Sequence, residues 1–337
     1  MAEDAGTPLP FVRILVTGAD GFVGRHLVPA LAARLAPGAR MVLATREPGA
    51  RGAGEQGRAG ERATREEIAF DLTDPASVAA AVRAVRPDLV VHLAAQASVG
   101  QSLNAAAGTW AINVGGSLTL ATALAEHAPA CTLFFVSSVE VYGLSFNAGV
   151  AREDTAMWPQ SSYSRSKAAA EWMLADVLPR TARLIVVRPS NHSGPGQDER
   201  FVIPAFAAQI ARIEQGGPAE IAVGNLDAER DFMDVRDVIA GYIGLLTRAD
   251  TLPPRNVFNV ASGRTVRIAT ILATLRGMSR VPTTVVTDPA RVRPSEVPLA
   301  AIDAAAFRAA AGWAPRHAIE ETLATILDDQ RARIAHG

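Results

Sequence analysis

The stretch Phe11-Val-Arg-Ile-Leu-Val-Thr17-Gly18-Ala19-Asp20-Gly21-Phe22-Val23-Gly24 decides the fold. Its first seven residues are short, apolar and β-branched, the pattern of a buried strand. Three glycines follow at G-x-x-G-x-x-G spacing, and from Arg25 to Leu35 the apolar residues recur at helical spacing. Glycine permits a tight turn and lets backbone N–H groups approach a pyrophosphate at the positive helix N-terminus. The stretch therefore predicts a dinucleotide site at the first strand–helix turn, formed by Gly18, Asp20, Gly21, Phe22 and Val23.

Outward from this turn, further strand patterns fall at Met41–Thr45, Ile68–Phe70, Leu89–Leu93, Thr132–Val136 and Ala182–Val187. Helical patterns separate them at Ala76–Val85, Gly108–Glu126 and Ser162–Leu178. Strands that alternate with helices and are apolar throughout predict a parallel sheet covered on both faces. After Pro189 the rhythm changes. Gly194–Arg200 and Gly216–Asp231 read as loop-rich, around a helix at Val202–Gln215. Asp234–Thr247 is helical, Asn256–Val260 reads as a strand returning to the sheet, and the tail holds helices near Ile268–Leu275, Asp303–Ala311 and Ile319–Ile334. Gly49–Arg65, rich in Gly and Arg, reads as a mobile surface loop. The expected division is a nucleotide-binding domain over 11–190 with 232–262, and a smaller discontinuous lobe over 191–231 with 263–335.

The 337 residues suit about two structural units at roughly 150 residues each. Lys plus Arg is 33 and Asp plus Glu is 34. A net charge of -1 gives no pull toward nucleic acid or an anionic membrane, since phosphate binding needs surplus cations. No apolar run approaches the roughly 18 residues that a membrane span requires. The N-terminal residues are acidic and polar, unlike a secretory signal, so a cytoplasmic protein is expected. The single cysteine, Cys131, lies in an apolar strand pattern and reads as packing; it excludes an intrachain disulfide. The six histidines show no ligand spacing, so no metal is expected.

At the end of the second strand, where NAD sites usually place an acid for the ribose 2′-hydroxyl, stand Thr45 and Arg46. A small residue beside a guanidinium suits a 2′-phosphate, so NADP(H) is preferred. NAD(H) stays open, with Arg46 a solvated charge or Glu47 taking the ribose. Asp71-Leu72, just after the third strand, is placed either to contact adenine or to serve as a helix-start turn. Tyr163 and Lys167 are spaced i, i+4, so a helix puts both on one face. A nearby ammonium would stabilise a phenolate and bring Tyr163 nearer to working pH. Upstream, Ser137-Ser138-Val139-Glu140 leaves a strand end with hydroxyls and an acid.

Together Gly18-x-x-Gly21-x-x-Gly24, Asp71-Leu72, His92-Leu-Ala-Ala-Gln96, Asn113, Ser138 and Tyr163-x-x-x-Lys167 resemble the extended short-chain dehydrogenase/reductase superfamily, over nearly the whole chain. The resemblance implies a Rossmann-type doubly wound domain with a nucleotide-sugar lobe. It implies Tyr163 as acid/base, Lys167 as its pKa modifier and a nicotinamide-ribose ligand, and Ser138 as partner of the substrate oxygen. Leu93, Ala94 and Ala95 would line the cofactor, and Ser98 would face substrate. It also implies a homodimer through a four-helix interface built from Gly108–Glu126 and Ser162–Leu178.

Within that superfamily, Arg188-Pro-Ser-Asn191-His192-Ser-Gly-Pro-Gly-Gln197, Asn225, Arg230-Asp231 and Arg293-Pro-Ser-Glu296 resemble the GDP-mannose 4,6-dehydratase and GDP-4-keto-6-deoxy-mannose reductase branch. Asn191 and Asn225 would face the sugar nucleotide, Arg230 and Arg293 would hold phosphates, and Glu296 would accept from ribose or base. Dehydratases of the superfamily carry Glu two residues after the catalytic hydroxyl, as Glu140 is here, with an Asp or Ser between. Val139 occupies that intervening place and has no proton to give. The implied activity is reduction of the C4 ketone of GDP-4-keto-6-deoxy-D-mannose to GDP-D-rhamnose, with Glu140 orienting substrate. A dehydratase, an epimerase and a non-catalytic dinucleotide sensor are the alternatives.

Overall fold

The computed structural model describes residues 6–46, 48, 64–97, 100, 102, 105–291 and 297–336. Ser98, Glu47, Arg293, Glu296 and most of the Gly49–Arg65 stretch lie outside the described residues.

Seven strands build the main sheet: β1 Arg13–Thr17, β2 Arg40–Thr45, β3 Thr64–Ala69, β4 Leu89–His92, β5 Thr132–Val136, β6 Arg183–Pro189 and β10 Arg255–Val260. Their order is β3-β2-β1-β4-β5-β6-β10, and every neighbouring pair is parallel. The order reverses direction at β1, and in doubly wound sheets the ligand crevice lies at the C-terminal strand ends beside such a point. Side chains alternate between faces. Ile14 and Val16 of β1 pack in one cluster with Val91, Phe134 and Val187, whereas Leu15 joins Val42, Val90, Leu133 and Phe135 on the opposite face. Both faces being covered explains the unbroken apolar runs.

Helix α1, Phe22–Ala32, and helix α6, Val235–Thr247, cover the first face. The second is covered by α2 Pro75–Val85, α3 over 106–127 and α4 Ser162–Val177. Asp74 caps α2 through the Ala76 N–H, with Pro75 at the first helical position. A reciprocal Ser161–Ser164 capping box starts α4, one residue before Tyr163. Helix α3 contains a π-helical stretch at Ala111–Gly116. A Cβ on Gly116 would meet Leu72 Cγ at 2.4 Å, so glycine lets this stretch seat on Leu72.

The C-terminal lobe has its own core. Ile203, Phe206 and Ile210 of α5 (Val202–Glu214) pack on Ile271 and Leu275 of α7 (Ile268–Gly277) and on Leu323, Ile326 and Leu327 of α9 (Ile319–His336). Its small sheet joins β7 Asn191–Ser193, β9 Glu229–Asp234, β11 Thr265–Arg267 and β13 Leu299–Ala300, while β8 Glu220–Val223 pairs with β12 Thr284–Thr287. These strands correct the loop-rich reading of Gly216–Asp231. Strands of two to six residues, interrupted by Gly and charged residues, carry too little periodicity to stand out. The short helix α8, Ala305–Ala311, packs Phe307 against the main sheet.

Candidate active site

The glycine turn has the geometry that its spacing predicts. Gly18 has φ +69°, and a Cβ there would meet Ala94 N at 2.6 Å, so β1 passes hard against the exit of β4. Gly21 precedes α1 with no side-chain cap, leaving the first helical amides, those of Phe22 and Val23, without a side-chain acceptor at the positive helix end. Thr45 Oγ1, at the end of β2, is buried without a hydrogen-bond partner among the described residues. Arg46 beside it is exposed, and so is Asp20. These features fit a dinucleotide: an anion at the uncapped helix end, and a polar group at the orphaned hydroxyl. Asp71 is exposed and accepts the Thr73 amide and hydroxyl at 2.9 and 2.7 Å, bonds that hold its carboxyl below the usual range. It closes the turn into α2, whereas Asp74 provides the cap. Leu72 is buried in the core.

Beneath the turn lies a chain of hydrogen bonds that sequence reading missed. Ser117 Oγ donates to Asn113 O at 2.6 Å, so it accepts from His92 Nε2 at 3.0 Å. His92 Nδ1 then accepts from Thr17 Oγ1 at 2.7 Å, and that hydroxyl takes the Ala94 N–H at 3.3 Å. Burial, with Lys167 nearby, pushes the imidazole down to about 3, so His92 is neutral and its tautomer fixed. The π-helical stretch turns Asn113 toward the β4 exit, where its amide pairs with both backbone groups of Gln96, at 2.8 and 3.2 Å. Asn113 Nδ2 also donates to Ser166 Oγ at 2.9 Å, which in turn donates to Tyr163 O at 2.7 Å. The segment containing Leu93, Ala94 and Ala95 is thereby braced against α4.

Ser138, Glu140, Tyr163 and Lys167 come together where β5 ends and α4 begins. Tyr163 is 9% exposed and hydrogen-bonds Ser138. Ser138 Oγ also takes the Glu140 N–H at 3.2 Å. Lys167 Nζ donates to Val136 O at 2.8 Å and lies 4.9 Å from the Phe135 ring centroid. The expectation that Lys167 acidifies Tyr163 is not met. Burial pushes the phenol up to about 12, against the Ser138 hydrogen bond, and the ammonium is tied to the strand end. Burial also brings Lys167 down to about 8, with the Glu171 charge opposing it. The Glu140 carboxyl is raised by burial and drawn back by Arg230, so a residue of β9 faces the catalytic cluster. Val139 turns away into an apolar cluster with Tyr142, Ala168 and Ile302.

One helical turn past Lys167, Glu171 forms a buried forked ion pair with Arg188 of β6: Nε reaches both carboxylate oxygens at 3.1 Å and Nη2 reaches Oε2 at 2.6 Å. Ser137 Oγ donates to the same carboxylate. Arg188 also donates to Tyr142 OH at 2.8 Å, and that hydroxyl donates to Asn259 at 2.7 Å. Neither the pair nor its ties were legible from spacing. Asn191 sits on β7 and donates to Asp231 O at 3.4 Å. Asn225 is exposed and takes the Asp227 N–H at 2.9 Å, closing a local turn. Among the described residues, no group of three or more His, Cys, Asp or Glu could hold a metal, and no helix is long and apolar enough to cross a membrane.

A doubly wound parallel sheet, a glycine turn at β1 and a Ser–Tyr–Lys cluster at the end of β5 define an extended short-chain dehydrogenase/reductase. The family model described as GDP-mannose 4,6 dehydratase matches residues 15–326, and the chain belongs to that family. It is 34% identical to the GDP-6-deoxy-D-mannose reductase of Pseudomonas aeruginosa, over 96% of this chain and 98% of that one. Among solved structures it is similar to RMD from Pseudomonas aeruginosa complexed with NADPH, with a TM-score of 0.78, 32% identity and coverage of 95% and 99%. It is also similar to the UDP-glucose 4-epimerase of Thermus thermophilus in complex with NAD, with a TM-score of 0.76, 27% identity and coverage of 95% and 99%. A nicotinamide dinucleotide is thus the cofactor class of its relatives.

Proposed function

We propose that the protein reduces the C4 ketone of GDP-4-keto-6-deoxy-D-mannose to GDP-D-rhamnose, using NADPH in preference to NADH. The observation that carries this reading is the buried Ser138–Tyr163 pair: the Tyr163 hydroxyl is protonated at neutral pH and, hydrogen-bonded to Ser138, is placed to give its proton to a developing alkoxide. The 34% identity to a reductase supports the same direction, as does Val139, which turns into the core where a dehydratase would carry an Asp or Ser to assist loss of water.

Bound nicotinamide supplies the hydride. Gly18, Gly21, Phe22 and Val23 hold the pyrophosphate, while Thr45 and Arg46 take the adenosine ribose and its 2′-phosphate. Ser138 Oγ hydrogen-bonds the ketone oxygen, Tyr163 gives it a proton, and Lys167, anchored on Val136 O, would hold the nicotinamide ribose and adds positive charge to the site. Asn191 and Arg230 bind the diphosphate. Glu140, held by Arg230, orients the sugar. The division into a Rossmann domain over 11–190 with 232–262 and a substrate lobe over 191–231 with 263–335 belongs to this proposal.

The chain is proposed to work as a homodimer. Residues 105–125, most of α3, contain no charged side chain, and exposed Trp110 and Leu118 of α3 lie on a helix that packs beside α4, where Trp172 is exposed. Such a face suits a partner helix pair. A cytoplasmic location completes the proposal.

The test is NADPH oxidation by the purified protein with GDP-4-keto-6-deoxy-D-mannose. Turnover is expected, and Tyr163→Phe should lower it about 100- to 10,000-fold while leaving NADPH binding intact. Consumption of GDP-mannose without any external reductant would instead identify a dehydratase. Dinucleotide binding without turnover on any keto sugar would identify a sensor.

A further inference from the structure

The chain passes between its two main sheets at several places, and two of those passages meet at a side chain of β9. β6 leaves the large sheet at Pro189 and the small sheet begins with β7 at Asn191, so Ser190 is the link. β10 leaves the large sheet at Val260 and β11 enters the small one at Thr265, through a turn at Ser262, Gly263 and Arg264. β9 ends at Asp234, where α6 starts and returns to the large sheet. Asp231 stands within β9 and is 1% exposed.

Its carboxylate bonds the first two of these passages. Oδ1 accepts from Ser190 Oγ at 2.8 Å and from Ser262 N at 3.0 Å. Oδ2 accepts from Ser262 Oγ at 2.8 Å, Gly263 N at 2.7 Å and Arg264 N at 3.1 Å. Successive amides converge on one oxygen because Gly263 has φ +77°, a conformation that an L side chain rarely adopts. A carboxylate withdrawn from water needs such donors, and these five come entirely from the segments that join the sheets.

What flanks this residue gives the arrangement its consequence. Arg230 precedes Asp231 on the strand and acts on Glu140 of the catalytic cluster. Asn191 Nδ2 donates to the backbone carbonyl of Asp231. We propose that Asp231 is the pin that fixes the angle between the two sheets and thereby sets Arg230 and Asn191 against Ser138, Glu140 and Tyr163. It is a positioning residue, acting through its neighbours. The link to substrate rests on the proposed reading of Arg230 and Asn191 as diphosphate ligands; the pin itself does not.

The experiment uses spin labels on Ala84→Cys in α2 and Ala273→Cys in α7, both exposed positions, while Cys131 is buried and does not compete. With the labelled chain diluted in unlabelled chain, so that only distances within one subunit are read, the parent pair should give one narrow distance distribution. Asp231→Asn should broaden it, because in either orientation of the new side chain at least one of the amides would then face an NH2 group. Should that variant not fold, Ser190→Ala/Ser262→Ala removes only two hydroxyl donors and should broaden it as well. In the same variants KM for the keto sugar nucleotide should rise about tenfold or more, with kcat changed less and the Kd for NADPH within about twofold. An unchanged distribution in the serine double variant overturns the pin. Broadening with KM unchanged, or with cofactor affinity lost in step, overturns its role in positioning the site. Absence of parental turnover would overturn the proposed function and leave the distance measurement to decide the pin.

Discussion

Replacing Glu171 by Gln separates two jobs that one carboxylate performs. The Arg188–Glu171 pair has both side chains 4% exposed, and Gln would leave the guanidinium buried without its counter-charge. Removing one partner of a buried pair costs about 3–5 kcal/mol. Against a total stability of about 5–15 kcal/mol, that is a large share. Replacing both partners, as Glu171→Leu/Arg188→Met, removes the stranded charge and should recover at least half of the loss. Recovery stays partial because Ser137 Oγ loses its acceptor. Equilibrium urea unfolding followed by circular dichroism measures both variants. The catalytic effect runs differently. Glu171 is the charge that opposes burial at Lys167, so without it the ammonium pKa falls further below about 8. The alkaline limb of kcat/KM should therefore move to lower pH in the single and the double variant alike. A loss under about 1 kcal/mol in Glu171→Gln, or a double variant no more stable than the single, would refute the buried-pair argument. An alkaline limb that stays in place would refute the coupling to Lys167.

In the parent protein, reduction should lose activity as pH rises through about 8, because the depressed Lys167 releases its proton there, whereas Tyr163, raised to about 12, stays protonated. A kcat/KM profile that is flat past about pH 9 would exclude this assignment, since the free-enzyme groups set that profile. Gly18→Ala should destroy dinucleotide binding and lower stability by about 2 kcal/mol or more, since it forces φ +69° on an L residue and drives a Cβ to 2.6 Å from Ala94 N; calorimetric titration with NADPH measures the first effect and urea unfolding the second. Arg46→Glu should weaken NADPH binding by about tenfold or more and leave NADH little changed, if the guanidinium takes the 2′-phosphate; equal losses for both cofactors would reject that role.

Much of this protein was legible in its sequence because local periodicity and local chemistry carry it. The unbroken apolar strands, the glycine spacing at Gly18–Gly24 and the i, i+4 placement of Tyr163 and Lys167 fixed the parallel sheet, the turn and the helix face. The helix over Ser162–Val177 and the strand over Thr132–Val136 lie where their patterns put them, which brings Ser138 to Tyr163. What the sequence could not carry depends on burial and on partners far apart in the chain. Spacing suggested an acidic tyrosine; only the packed site shows desolvation outweighing the Ser138 hydrogen bond, with Lys167 held by Val136 instead. His92 looked like a strand residue and is a neutral bridge between Thr17 and Ser117, 75 and 25 residues away. Asp231 stood within a motif without a role until the tertiary structure brought Ser190 and Ser262–Arg264 to its carboxylate. A charge reveals its function through the dielectric and the donors around it, and those are properties of the folded chain.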